Sequence, residues 1–156
     1  MENLKTQCMK YKHLILAMIF LALANAICAQ VVKIPETAKK NFSEKYPKAQ
    51  QVEWSNNVTN ETARFTQNGK GYKAYYDLDG KWTRTETQIT EAELPAPVKD
   101  GFSKSKFASW PVKDRAKLEM PKGTFYRIHT KKDVVNDKYL MFDKEGKLTA
   151  DNVTLD

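Results

Sequence analysis

The sequence runs to 156 residues, 41% hydrophobic and 29% charged, with a formal net charge of +7, two cysteines and two histidines. A chain of this length and apolar content can bury a core without staples. So few thiols and imidazoles exclude a disulfide framework, and the scattering of lysines among acids argues against a nucleic-acid stripe.

The chain opens with Lys5, Lys10 and Lys12 ahead of "LILAMIFLALANAICA". A charged start, an apolar run and a zone of small residues predict a secretory signal peptide over residues 1–29. The run is shorter than the ~20 residues a membrane-spanning helix needs. Cleavage after Ala29 leaves Gln30 first; Ala24 and Ala26 offer a second site. Lipidation of Cys28 ranks below simple export, because Ile27 is bulkier than that processing prefers. Cleavage after Ala29 removes three lysines, Glu2 and both cysteines, leaving 127 residues with a net charge of +5 and one histidine, His129. The expected product is one exported domain over residues 30–156, periplasmic or secreted, with no transmembrane segment.

That domain repeats itself, with units at about 32–90 and 92–153. "KIPETAKKNF" predicts a helix that starts at Pro35, carries Ala38, Phe42 and Tyr46 on one stripe, and stops at Pro47. The period then drops to two. "QQVEWSN" sets Val52 and Trp54 against Gln51 and Glu53, "TARFTQ" sets Ala63 and Phe65 against Arg64, and "YKAYYD" sets Tyr72, Ala74 and Tyr76 against Lys73 and Tyr75. "DLDG" has the order of a calcium loop, but Tyr75 falls where the first carboxylate belongs and strands flank it, so it reads as a hairpin turn. Threonine-rich "WTRTETQI" makes a fourth strand and leaves the face of Trp82 undecided.

The second copy begins at "ELPAPVKDGF", with Val98, Phe102 and Phe107 as the helix stripe and Gly101 weakening it by about 1 kcal/mol. "KLEM" stands where "VEW" stood, then Arg127 answers Arg64, Phe142-Asp143 answers Tyr76-Asp77, and Gly146 answers Gly80. Each unit reads α-β-β-β-β. The fold class is α+β, an antiparallel sheet with helices on one face and the other face wet. Trp54, Phe65, Tyr72, Tyr76, Ile128 and Phe142 are the expected core.

These residues carry a resemblance. "IPETAKKNFSEKYPKAQQVEW", "GYKAYYDLDGKW" and "ELPAPVKDGF" resemble the PepSY-like family of exported bacterial proteins, common in Bacteroidetes and related in fold to the β-lactamase inhibitor protein. The resemblance spans about Val32 to Val153. It implies two tandem units sharing one curved sheet, helices on the convex side and the other side open for binding. It implies no catalytic residues and no cofactor.

The residues agree in excluding most chemistry. His129 has no cysteine partner, no histidine cluster is available, and neither a nucleophile elbow nor a phosphate loop occurs. The expectation is a non-enzymatic binding module without cofactor or metal. By alternation, Arg64, Lys73 and Tyr75 in the first unit and Phe125, Arg127, His129, Tyr139 and Met141 in the second face away from the helices. Phe125, Tyr139 and Met141 would make an apolar patch, the arginines and Lys73 would choose an acidic protein or peptide, and His129 would be a solvated strand residue. Restraint of a peptidase or other hydrolase is one form of this function. A small-molecule carrier and a structural envelope component are the alternatives.

Overall fold

The computed structural model describes residues 33–152. The expected signal peptide and Cys28 lie outside the described residues. Eight strands form one curved antiparallel sheet that does not close, in the order β1 to β8 along both the chain and the sheet.

The first unit runs α1 (Glu36–Lys45), β1 (Gln50–Asn56), β2 (Glu61–Gln67), β3 (Lys70–Tyr76) and β4 (Trp82–Gln88). The second runs α2 (Ala96–Ser103), β5 (Val112–Met120), β6 (Gly123–Lys131), β7 (Asp137–Asp143) and β8 (Leu148–Ala150). Pro35 and Pro95 sit at the caps rather than inside the first turns, and each carbonyl accepts the first helical N–H bonds. Phe107 lies past the end of α2, in the turns that follow it, yet is buried.

Each helix covers its own four strands. Ala38 and Phe42 of α1 pack on Ala63, Phe65, Ala74 and Tyr76, with Trp54, Tyr72 and Trp82 at the margin. The cross-strand pair Ala63 and Ala74 lets the helix approach the sheet, and Phe42 meets Phe65 and Trp54 edge-on at 5.1 and 5.4 Å. The face of Trp82 is therefore the helix face, where its indole N–H donates to Thr85 at 2.8 Å. Leu94, Val98, Phe107, Ile128, Leu140 and Phe142 make the second core.

Register explains two departures from simple alternation. A bulge between Gln50 and Glu53 gives β1 one residue more than β2, Gln51 takes a left-handed φ of 52°, and Val52 is left exposed. In β5, Lys117 rather than an aromatic stands opposite Tyr126, where Trp54 stands opposite Ala63 in the first copy. Trp110, from "FASWP", packs on the second core instead and meets Phe107 edge-on at 5.1 Å.

The aspartate-glycine segments are turns. The Asp77 carboxylate accepts the N–H groups of Asp79 and Lys81, and Asp143 does the same for Glu145 and Lys147. Gly80 and Gly146 take φ of 80° and 84°. Both turns lean on a helix start. Thr37 and Asn41 of α1 donate to the carbonyls of Asp79 and Gly80, and a Cβ on Gly146 would lie 2.0 Å from the Pro97 carbonyl oxygen.

Candidate functional site

The helix-free face carries Glu53, Thr62, Arg64 and Thr66 from β1 and β2, then Gly71, Lys73, Tyr75, Arg84 and Glu86 from β3 and β4. Its second half carries Asp114, Ala116 and Leu118 from β5, Phe125, Arg127, His129 and Lys131 from β6, and Asp137, Tyr139 and Met141 from β7. All eight sequence-predicted residues lie on it. They do not share one condition.

From β4 onward the face is closed by its own side chains. Arg84 donates to Glu86 at 3.1 Å, Arg127 reaches Glu86 at 3.4 Å and Asp114 at 3.3 Å, and His129 lies 2.8 Å from Asp114 and 2.7 Å from Asp137. Lys131 completes the chain at 2.7 Å from Asp137. Strands β4 and β6 are about 10 Å apart with β5 between them. The Arg127–Glu86 bridge must therefore cross β5, and it does so beside the fully buried Ala116 and Leu118. The small Ala116 side chain leaves room for the crossing.

This ladder corrects two expectations. His129 is not a solvated residue; its side chain is 13% exposed, clamped between two carboxylates and stacked on Tyr139 at 4.2 Å. Met141 is only 9% exposed, and Phe125 is half-buried, so of the expected apolar patch Tyr139 alone is exposed. Arg127 is tied down as well. Tyr75 lies under the Arg84 guanidinium at 3.7 Å, and burial, with Glu86 adding, raises its phenol above the ordinary value, so it stays a neutral donor.

The first unit is different. Arg64 and Lys73 are exposed cross-strand partners, and neither makes an ion pair among the described residues. Beside them, running from the bulged β1 across to β4, lies a trough of about 740 Å³, bordered by Glu53, Arg64, Thr66, Gly71, Lys73 and Glu86. A Cβ at Gly71 would meet no atom within 4 Å. Sequence reasoning missed Gly71, Asp114 and Glu86. Alternation from Lys73 would have placed Gly71 on the face, whereas the bulge between Val112 and Asp114 puts Asp114 on the wrong face in a period-two count from the core residue Val112.

One end of the trough is fastened by an ion pair between Lys70 of β3 and Glu93 of the connection to α2. That lysine, with the N–H and hydroxyl of Thr90, lowers the Glu93 carboxyl from its ordinary 4.5 to about 2. A depressed carboxylate stabilises the fold above its unfolded-state value and ceases to as pH falls through the folded one. Urea titrations of wild type and Glu93→Gln should therefore differ at pH 6, converge from about pH 4.5 downward, and coincide near pH 2.

Among the described residues no three-residue His/Cys/Asp/Glu group suits a metal, and no helix is long and apolar enough to cross a membrane. Residues 59–150 match the family described as "Putative beta-lactamase-inhibitor-like, PepSY-like". A BLIP-like protein from Bacteroides fragilis NCTC 9343 shares the fold with a TM-score of 0.69 at 21% identity, over 79% of this chain and 88% of that one. A DUF2874 family protein from Bacteroides ovatus ATCC 8483 gives 0.69 at 26% identity, over 77% and 87%. One described as "putative periplasmic", from Bacteroides eggerthii DSM 20697, gives 0.65 at 22%, over 77% and 88%. No curated protein matches the sequence.

Proposed function

Since the chain belongs to this beta-lactamase-inhibitor-like, PepSY-like family, we propose that it is an exported, non-enzymatic binding module whose helix-free sheet face docks a protein or peptide partner. The observation that carries this reading is the pair of uncommitted cations, Arg64 and Lys73, on an ordered face with no covering element among the described residues. The face is preorganised. Its second half is braced by the ion ladder, so docking orders few side chains and loses little entropy. Tyr139, exposed beside Arg127 and His129, supplies an aromatic anchor of the kind that dominates interfaces.

The BLIP-like description of the Bacteroides fragilis relative supports the finer form, restraint of a co-exported hydrolase, and the acidic preference follows from the two free cations. A small-molecule carrier is the second reading, favoured by a trough within the usual ~300–1,000 Å³ of ligand sites.

The test is site-specific photo-crosslinking in envelope extract, with benzoylphenylalanine at Lys73, at Tyr139, or at Lys40, an exposed position of α1. Face positions should each yield one discrete protein adduct of common mass, and Lys40 none. The same adducts from all three, or none from any, would end the docking reading.

A further inference from the structure

The two copies of the unit can be compared position by position across the helix-free face. Arg64 corresponds to Arg127 and Lys73 to Met141, each pair occupying the same place in the β2–β3 and β6–β7 registers. On that register Thr66 stands where His129 stands and Gly71 where Tyr139 stands. Gln51, whose amide oxygen accepts from the Thr66 hydroxyl at 3.2 Å, lies where Asp114 meets His129. In the second copy, then, carboxylates from within the chain surround the arginine: Glu86 and Asp114 contact it, and Asp137 follows through His129. In the first copy an amide stands in place of Asp114 and a glycine in place of the Tyr139 ring, and the trough lies over them.

We infer that the first-unit trough takes the carboxylate of an acidic side chain presented by an extended peptide segment of the partner, gripped by Arg64 and Lys73 over Gly71. This rests on the docking reading above and adds where on the face the contact falls and what chemistry makes it. The charge balance within the trough supports an incoming anion. Glu86 is held by Arg84 and Arg127, and Glu93 by Lys70. Of the remainder, Arg64 and Lys73 are unpaired cations and Glu53 the one unpaired anion among the trough's described residues. A volume of about 740 Å³ exceeds what a lone carboxylate fills, and Gln51, Thr66 and Gln88 border it with polar side chains that can meet a peptide backbone.

Gly71 provides the sharpest test. Its backbone is ordinary strand rather than left-handed, and a side chain there would meet nothing. Valine suits a strand better than glycine, so Gly71→Val should raise Tm while filling the floor of the trough. The probes are the capped peptide Ac-Ala-Gly-Glu-Gly-Ala-NH2, its glutamine counterpart, and sodium acetate, titrated into the ¹⁵N-labelled protein. The glutamate peptide should shift the amides of Arg64, Thr66, Gly71 and Lys73, and bind at least about tenfold more tightly than the glutamine peptide, since a charge-assisted contact is at stake. Gly71→Val and Lys73→Gln should each abolish this difference, the second variant holding the conclusion should the first fail to fold.

Equal affinity for the two peptides, shifts centred on Arg127 and His129, or no shifts at millimolar peptide would overturn the assignment. Acetate matching the glutamate peptide would mark a small-anion site and overturn the peptide part. Failure here with intact crosslinking from Tyr139 would remove the trough and leave the docking face standing; loss of both removes both.

Discussion

Replacing Gly101 by alanine is expected to destabilise the protein by about 3 kcal/mol, the upper part of the usual overpacking range. Helix propensity alone predicts the opposite sign, a gain of about 1 kcal/mol for alanine over glycine inside α2. The contact decides it. A Cβ on Gly101 would stand 1.9 Å from the Gly146 carbonyl oxygen and 2.9 Å from its carbon. Both are backbone atoms, so no side-chain rotation relieves the overlap. Gly146 cannot retreat, because its own Cα faces the Pro97 carbonyl and its φ of 84° fixes the turn. The clash pushes α2 off the β7–β8 hairpin and opens the packing of Val98 on Leu140 and Phe142. Thermal melts should show Tm lower by roughly 10 °C or more. An unchanged or raised Tm would mean that the helix and the turn are not in such close contact.

The second large effect is a contrast between two arginines that occupy equivalent places. Arg127→Ala should cost about 3–5 kcal/mol, and Arg64→Ala within about 0.5. Arg127 is 11% exposed and bridges Glu86, itself 8% exposed, to Asp114. Removing it leaves Glu86 with Arg84 alone and opens a void over Ala116 and Leu118. Arg64 is exposed, unpaired and free to be lost. Urea denaturation of the two variants reads the difference directly, and equal losses would mean that the ladder contributes nothing specific. The Arg127 value measures a broken pair, not a stabilising bridge, since a buried ion network is weak evidence for stability in itself.

Much of this architecture was legible in the sequence because the unit appears twice. Periodicity gave the two helices and eight strands, and the aspartate-glycine turns followed from the missing first ligand at Tyr75. The expected core residues Trp54, Phe65, Tyr72, Tyr76, Ile128 and Phe142 all pack beneath the helices. What stayed hidden was of two kinds. Bulges at Gln51 and near Asp114 insert one residue, and a period-two count cannot register that. Ion pairs that cross a strand, such as Arg127 to Glu86, join residues 41 apart in the chain. No local pattern announces them, so Arg127, His129 and Met141 read as exposed when they are covered. Gly101 misled for a related reason: propensity is a property of the helix alone, and the close approach belongs to the helix and a turn 45 residues later.

The order of the sheet has a kinetic corollary. Every strand pairs with the one that precedes or follows it, so the longest loop any pairing must close is the α2-containing connection from β4 to β5. Closure entropy rises only logarithmically with loop length, and assemblies of near neighbours acquire structure quickly. A chain emerging end-first from a narrow pore could zip up hairpin by hairpin, each new segment meeting its mate among residues that have only just arrived.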